Sequence, residues 1–333
     1  MSRPICEDIT VIIRSASERT EDLCRRLLCE QVPAESISII HERPFPQALR
    51  KALNIGMEHG RPWTLCVDAD VLVGKDAVHI LKERARSGAD NVFEIQGMVL
   101  DKFFGGPRPA GNHLYRTSML GRALNEIPTS DMSLRPETYM IRQMAAKGHA
   151  WVQLDTVVGL HDYQQYYRDT YRKAFTHAWK HKRYLPYLRR FWARMAERDA
   201  DFDVALLAVR AALITEERAR LDAQQFDGEV DALLRTAGHT EKEPLLDNGL
   251  SSSQIEEIVR TFRAPPEYAC CRALMNGLVK PSLAARVRAA SRTFGWFRLG
   301  PWLLGRTLWH IGRTLCKRME RRRGHVPLWD QDG

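Results

Sequence analysis

The sequence predicts an α/β protein with a mostly parallel sheet flanked by helices and a helical C-terminal extension. Runs of β-branched residues alternate with helical patterns through the first half of the chain, and such alternation produces a parallel sheet with right-handed crossovers. A long apolar run at residues 63–73 is typical of a strand buried on both faces. Beyond Tyr163 the residues are mainly helix formers with scattered charge.

The composition indicates a soluble globular protein with one large domain and an appendage. The 333 residues are 44% hydrophobic and 27% charged, which is typical of a soluble globular protein and not of a disordered or membrane-spanning one. The seven cysteines contain no Cys-x-x-Cys pair, which argues against a disulfide framework or a zinc site and favours a reducing cytoplasm. Neither a signal peptide nor an uninterrupted apolar span is evident, so we expect a cytoplasmic protein.

The first two strand–helix units follow from local patterns. Residues 9–13 are a β-branched run, and the spacing of Ser15 and Glu18 after it predicts the start of a helix by the capping-box pattern. Residues 36–40 form the second predicted strand. Pro46 then opens a helix, because proline is accepted in the first turn.

Two carboxylates interrupt the apolar run at 63–73, namely Asp68 and Asp70. An unpaired carboxylate is costly in a buried strand. If the strand ends near Asp68, both carboxylates lie at the carboxyl edge of the sheet, where α/β proteins bind ligands. A divalent cation carrying phosphate would then compensate both charges. The alternative, and the commoner meaning of a bare Asp-x-Asp, is a helix cap or a surface turn.

A helix at 75–86 completes the third strand–helix unit, and a strand at 91–95 follows it. Residues 101–113 are rich in glycine and proline, which predicts a loop near the edge of the sheet. Within this loop, Lys102 and Arg108 are candidates to bind a diphosphate. A solvated surface loop is the alternative.

The last part of the sheet domain contains two further candidates. Pro136 begins a helix, which places Glu137 at the amino end, where the helix dipole favours a carboxylate. That electrostatic role alone is the alternative to a catalytic one. A strand at 150–154 leads to His161, and a polar break at 238–253 divides the helices beyond it.

In this order, the parts resemble the GT-A family of nucleotide-sugar glycosyltransferases, in particular its bacterial family 2-like members. The resemblance covers residues 9 to about 175. It is carried by the opening at 9–28, the segments 52–60, 63–70 and 113–118, Glu137, and His161. It implies a nucleotide-sugar-binding and catalytic domain at 1–165, followed by a helical extension at 166–280 and a basic tail at 281–333.

The resemblance also implies the metal ligands. Asp68 and Asp70 correspond to the Asp-x-Asp motif, in which the second carboxylate binds Mn or Mg and the first contacts the ribose or the metal. His161 corresponds to a metal ligand that some members add late in the domain. The implied cofactor is therefore a divalent cation, Mn or Mg.

Glu137 takes the position of the catalytic base, although Thr138 stands where the family often has a second acid. Many members carry an acidic pair after the second strand that recognises the nucleotide base, and here Glu42 is the substitute. The weaker candidates for lining the pocket are His41, His113 and Arg116. The nucleotide itself is not specified by these residues.

The implied reaction moves a sugar from a nucleotide-diphosphate donor to an acceptor hydroxyl of a cell-surface polysaccharide or glycolipid. A cation stabilises the leaving diphosphate, because it neutralises the charge that develops there. A carboxylate removes the proton of the acceptor hydroxyl and typically contributes roughly 100- to 10,000-fold. A base opposite the leaving group gives inversion at the anomeric carbon.

The tail between residues 281 and 325 contains eleven Lys and Arg residues and one acid. Its apolar side chains recur at helical spacing, which indicates a basic amphipathic helix with tryptophans, as found at membrane interfaces. We therefore expect peripheral contact with the inner face of the plasma membrane and a saccharide or lipid-linked acceptor. A helix packed on the protein is the alternative. We expect no nucleic-acid partner, since the aromatic residues do not lie on a strand platform.

Two rival functions remain. A sugar-1-phosphate nucleotidyltransferase also places carboxylates on an α/β sheet, but it needs a glycine-rich loop behind the first strand, and residues 14–19 contain no glycine. The other rival is a non-catalytic protein that binds membrane or nucleic acid through its basic tail.

Overall fold

The computed structural model describes residues 4–128, 135–214, 229–246 and 249–275. The predicted basic tail lies outside the described residues. None of the described helices is both long and apolar enough to cross a bilayer.

A single eight-stranded sheet forms the centre of the fold. Its strands are β1 (Ile9–Arg14), β2 (Ile37–Ile40), β3 (Trp63–Asp68), β4 (Val71–Val73), β5 (Val92–Asp101), β6 (Gly106–Pro109), β7 (Asn112–Arg116) and β8 (Ala150–His161). They are arranged in the order β2-β1-β3-β7-β5-β8-β4, and β6 pairs with β5.

The sheet is mostly parallel, which confirms the predicted fold class. The strand β1 pairs in parallel with β2 and β3, and β5 pairs in parallel with β8. The strand β7 runs antiparallel between β3 and β5, so those two point the same way. Parallel pairing of β1 with β3 places Arg14 beside Asp68, where both strands end.

Eleven α-helices are found in the described residues. They are α1 (Glu21–Cys29), α2 (Phe45–His59), α3 (Ala77–Arg86), α4 (Leu120–Leu124), α5 (Pro136–Ala146), α6 (Tyr167–Lys180), α7 (Leu185–Met195), α8 (Ala200–Ile214), α9 (Glu229–Thr236), α10 (Ser252–Thr261) and α11 (Pro266–Met275). The described residues up to Arg272 form one compact unit.

Helices cover both faces of the sheet because each presents an apolar side. On one face, α1 and α3 insert Leu27 and Leu81 into a buried cluster with the strands. On the other face, α2 and α5 contribute Leu53 and Met140 to a second cluster. Fully burying a side chain of this size contributes about 1.5–3 kcal/mol. The two clusters therefore hold the sheet rigidly, and its carboxyl edge stays open.

Two local predictions were wrong. The first helix begins at Glu21, because the Ser15 hydroxyl and the Ala16 N–H both donate to the Glu18 carboxylate, at 3.0 and 2.6 Å. The capping residues thus stabilise a turn before the helix. The expected loop at 101–113 is a hairpin instead, in which β6 pairs with β5 and β7 returns to the centre of the sheet.

The apolar run at 63–73 forms two strands, β3 and β4, which lie apart in the sheet. Most other elements predicted within the described residues agree with the structure. The strand predicted from the apolar run ends at Asp68, and Pro136 lies in the first turn of α5. The polar break falls between α9 and α10. In the helical extension, α6 packs against α8. The domain boundary near residue 165 stays a prediction.

Candidate active site

A cleft of about 360 Å³ opens at the carboxyl edge of the sheet, where β1 and β3 end. Four of the predicted site residues line it, namely Glu42, Asp68, Asp70 and Glu137. The other lining residues are Arg14, Ser15, Ala16, Glu18, Arg43, Pro44, Phe45, Ala48, Arg135, Pro136, Thr138, Arg172, Lys173, Thr176, His177 and Lys180. The cleft is therefore lined by both acidic and basic side chains.

The backbone around Asp68 is fixed from both sides. Its N–H donates to the carbonyl of Gly111 at 2.9 Å, and the next N–H, of Ala69, donates to the carbonyl of Arg14 at 2.9 Å. Gly111 has a φ of +59°, and a Cβ there would lie 2.6 Å from Val71 Cγ2 and 3.1 Å from Asp68 Oδ2. Only glycine fits this position, so the carboxylate and the β7 turn can approach closely.

Strand pairing brings a second carboxylate to Asp70. The strands β4 and β8 are antiparallel and pair Val71 with His161. The residues just outside this pair, Asp70 and Asp162, therefore face each other, and the Asp162 N–H donates to the Asp70 carbonyl at 3.2 Å. Ligand atoms of Asp70, His161 and Asp162 all lie within 4.8 Å of one another. Asp162 was not predicted, although it directly follows His161 in the sequence.

The donor set fits a divalent cation such as Mn or Mg. Carboxylate oxygens suit both ions, and imidazole is a common ligand of transition metals. Asp70 Oδ1 is buried and accepts no hydrogen bond. Asp162 Oδ2 is also buried and lies 2.9 Å from His161 Nδ1. The Nδ1 atom of His161 is bound to Asp101 Oδ2 at 2.8 Å, while Nε2 lies 3.6 Å from Asp70 Oδ1. A carboxylate that orients a ligating histidine in this way is usual at metal sites.

The charges around His161 act strongly on its ring. Burial alone would lower the pKa of His161, but the carboxylates of Asp162, Asp70 and Asp101 raise that pKa to about 10. The imidazole is therefore held by negative charge on several sides, which is also the environment that attracts a metal cation.

A lysine of the helical extension contacts the same carboxylates. Lys173, on α6, donates its Nζ protons to Asp70 Oδ2 and to Asp162 Oδ1, the latter at 2.5 Å. Lys173 was not predicted, because nothing in the helical composition of this region distinguishes one lysine from another.

The other end of the cleft is built around Glu137. Arg14 donates to Glu137 Oε1 at 2.6 Å and to Asp68 Oδ1 at 2.8 Å. The Tyr115 hydroxyl donates to the same Oε1 at 2.7 Å, and His113 Nε2 lies 3.1 Å from Oε2. Arg14 was not predicted as a site residue, although it is the last residue of the first strand.

These partners keep Glu137 ionised. Burial would raise the pKa of Glu137, but Arg14 and His113 outweigh it and hold that pKa far below its usual range. His113 is affected in the opposite sense: burial would lower its pKa, and the carboxylates of Glu137 and Glu94 raise it to about 10. A carboxylate with a low pKa is a weaker proton acceptor.

One wall of the cleft is a face of α6 that carries several cations. The residues Arg172, Lys173, Thr176, His177 and Lys180 recur at helical spacing along it. Burial and the nearby Arg135 and Arg108 lower the pKa of Lys180 to about 7. Arg172 is bound to Glu18 at 3.2 Å.

The remaining predicted residues have partners within the protein. Lys102 contacts Asp199 at 2.7 Å and Asp201 at 2.5 Å, and Arg108 donates to Asp101 at 2.6 Å. Neither lines the cleft, and their binding of a diphosphate stays a prediction. Glu42 lines the cleft beyond the second strand and pairs with Lys51 at 2.5 Å.

Comparisons with known proteins gave matches among solved structures alone. No family model matches the chain, and no curated protein sequence does. One similar structure is a glycosyltransferase involved in the glycosylation of the major capsid of PBCV-1, 12% identical with a TM-score of 0.33 over 46% of this chain and 83% of that one. Another is the mannosyltransferase PcManGT from Pyrobaculum calidifontis in complex with GDP-Man and Mn²⁺, 15% identical with a TM-score of 0.36 over 81% and 87%.

Both of these proteins are glycosyltransferases, which is the class that the sequence resembles. Both TM-scores lie below 0.5, so these likenesses assign no activity to the chain.

Proposed function

We propose that the chain is a divalent-cation-dependent glycosyltransferase that moves a sugar from a nucleotide-diphosphate sugar to an acceptor hydroxyl. The observation that carries this proposal is the group formed by Asp70, His161 and Asp162, of which Asp70 lines the cleft. Asp70 Oδ1 is buried without a hydrogen-bond donor. Such an oxygen is costly unless a ligand binds it.

In this proposal, Asp70 and Asp162 would hold the cation through their carboxylates, and His161 would hold it through Nε2. Such a cation would supply neutralisation of the charge on the leaving diphosphate. Asp68, which lines the cleft and is bound by Arg14, would contact the ribose or the cation.

The remaining charge of the diphosphate would be met by the cationic face of α6. Lys180 lines the cleft, and its side chain makes no ion pair with the residues that the structure describes. It is therefore available to a phosphate oxygen. Glu42, at the end of the cleft near β2, would contact the base of the nucleotide.

We propose that Glu137 accepts the proton of the acceptor hydroxyl through Oε2, because two donors, Arg14 and Tyr115, occupy Oε1. Oε2 has a single partner among the described residues, His113 Nε2 at 3.1 Å. The low pKa of Glu137 makes it a weak base, so its contribution falls near the lower end of the usual range, roughly 100-fold. Attack from the side of Glu137, opposite the diphosphate, would invert the anomeric carbon.

The acceptor would be a saccharide or a lipid-linked sugar. This part of the proposal is supported by the sequence of residues 281–325, in which eleven basic residues oppose one acid. Such a segment attracts an anionic membrane surface. Binding to anionic liposomes, compared between the full chain and a chain ending at residue 280, tests it; equal binding would contradict it.

The experiment that tests the proposed reaction measures release of nucleoside diphosphate from a panel of nucleotide sugars. We expect turnover with Mn²⁺ or Mg²⁺ and none with a chelator, and we expect Asp70→Asn to lower turnover by about 1,000-fold. Asp155→Asn is the matched control, because Asp155 is an exposed carboxylate on β8, the strand that carries His161. Equal turnover with the chelator, or in Asp70→Asn, would contradict the proposal.

A further inference from the structure

The proposed metal site already contains a positively charged side chain, that of Lys173. The Nζ atom of Lys173 bridges Asp70 Oδ2 and Asp162 Oδ1. These are two of the three residues that would hold a metal ion. The Lys173 side chain is 15% exposed and lines the cleft, so the bridge lies at the boundary between the buried cluster and the open space.

The bridge has a clear electrostatic reason. The side chains of Asp70 and Asp162 are 8% and 0% exposed, and two carboxylates at such burial repel each other and lose their hydration. An ammonium group between them offsets part of that cost. Without a metal ion, Lys173 thus stabilises the arrangement that the metal ion needs.

Each carboxylate is only half occupied by this bridge. Lys173 binds Oδ2 of Asp70 and Oδ1 of Asp162. The other oxygen of Asp70, Oδ1, is buried and accepts no hydrogen bond, and the other oxygen of Asp162, Oδ2, lies 2.9 Å from His161 Nδ1. The geometry therefore holds ligand atoms ready for a cation. However, a divalent ion and an ammonium group together would place three positive charges on two carboxylates.

We propose that Lys173 is a resident counter-ion, which a divalent cation displaces from Asp70 and Asp162 only when a nucleotide diphosphate is present to receive the displaced ammonium group. This inference rests on the proposed function, since it assumes that the cation and a diphosphate occupy the same cleft. It adds that the divalent cation and the diphosphate each raise the affinity of the protein for the other, and that Lys173 is the residue that links the two binding events.

The position of Lys173 makes this exchange possible. Its four-carbon stem is flexible and its ammonium group is a compact charge, so a change of rotamer moves the charge without moving α6. Because Lys173 lines the cleft, the displaced ammonium group stays beside the diphosphate. The phosphate oxygens then offset the positive charge that the carboxylates give up.

Binding of Mn²⁺ to the full-length protein, measured by electron paramagnetic resonance of the free ion, tests this inference. For the wild type we expect weak binding of Mn²⁺ alone and binding at least about 10-fold tighter with GDP or UDP, a coupling within the usual range. For Lys173→Met we expect Mn²⁺ alone to bind at least about 10-fold more tightly than to the wild type, with a smaller effect of the nucleoside diphosphate.

Two control variants sharpen the experiment. Lys173→Arg keeps the positive charge, so it should bind Mn²⁺ alone as weakly as the wild type. Lys182→Met removes a lysine whose ammonium group lies 4.5 Å from the centre of the Trp179 ring, and it should also behave like the wild type. Thermal unfolding of each variant reports whether it is folded.

The outcomes separate this inference from the proposed function. If the wild type binds Mn²⁺ as tightly alone as with a nucleoside diphosphate, the inference is wrong, and the proposed cation site stands. Equal affinity of Lys173→Met and the wild type for Mn²⁺ alone would overturn it in the same way. If no variant binds Mn²⁺ even with GDP or UDP, both proposals are wrong. The wild-type measurement decides the matter even if Lys173→Met does not fold.

Discussion

The two ends of the cleft both contain buried carboxylates, but they differ in how these carboxylates are held. At one end, Asp70 and Asp162 share a lysine as a partner, and Asp70 Oδ1 is buried without a hydrogen-bond donor. At the other end, Glu137 is bound by Arg14 and Tyr115 and lies close to His113. We call the first end, around Asp70 and Asp162, the open end, because it is arranged to take up a ligand. We call the second end, around Glu137, the closed end, because its side chains are held in one arrangement by their partners.

The basic residue at each end of the cleft fits this difference. Arg14 has a side chain that is 3% exposed and connects Asp68 to Glu137 through its planar guanidinium group. A guanidinium group fixes geometry because its donors point in set directions. Lys173 offers a single flexible ammonium group instead, which is easier to displace. Substitutions at the two ends should therefore affect different properties.

The largest effect is expected from Asp70→Asn at the open end. The substitution removes a charged ligand from the cation site and should lower kcat/KM for the donor by about 1,000-fold, since removing one group that stabilises developing charge has effects of this size. The fold should be preserved, because the amide has the same shape. Steady-state kinetics with saturating Mn²⁺ measure this effect. A loss below about 10-fold would contradict the metal role of Asp70.

The next effect is expected from Arg14→Met at the closed end. It leaves Asp68 and Glu137 without their shared cation in a buried position, and breaking a buried pair from one side typically costs about 3–5 kcal/mol. We therefore expect a lower free energy of unfolding by about 3 kcal/mol. Urea unfolding measures this, and an unchanged midpoint would show that the closed end is not held by Arg14.

Glu137→Gln should lower kcat by about 100-fold, because it removes the proposed base. The amide oxygen can still accept the hydrogen bonds of Arg14 and Tyr115, so the affinity for the donor should change little. Single-turnover kinetics together with a separate measurement of donor binding distinguish the two effects. If donor affinity falls as much as kcat, Glu137 positions the site and does not act as the base.

Per pH unit, the smallest effect is expected from the titration of His113. The pKa of His113 in the folded protein is raised to about 10, so its charged form stabilises the fold fully below about pH 6.5, and this stabilisation is lost as the pH rises toward 10. The difference in unfolding free energy between the wild type and His113→Gln should shrink by about 1 kcal/mol per pH unit over this window. A difference that is constant with pH would contradict a charged His113.

Local patterns in the sequence were sufficient for the parallel strands of the sheet and for the position of some candidate residues. The end of β3 at Asp68 follows from where the apolar run meets its first carboxylate, and the place of Glu137 follows from Pro136 at the start of α5. Both features depend on residues close in sequence. The last strand was predicted only to residue 154, whereas β8 continues to His161.

Long-range pairing explains what the sequence did not reveal. Lys102 contacts Asp201, which is 99 positions away, and nothing local distinguishes it from a lysine that is free to bind phosphate. Lys173 reaches Asp70 over 103 positions in the same way. The glycine- and proline-rich segment at 101–113 was expected to be a loop, because the partner strands that make it a hairpin are not visible in its own residues.

The central claim is that the open end of the cleft binds a divalent cation together with a diphosphate. Anomalous diffraction from crystals grown with Mn²⁺ and GDP or UDP tests it most directly. We expect a manganese peak bonded to Asp70, Asp162 and His161 Nε2, and we expect Lys173 to have moved onto a phosphate oxygen. A bound nucleotide with no manganese peak at these residues, and with Lys173 still bridging Asp70 and Asp162, would contradict it.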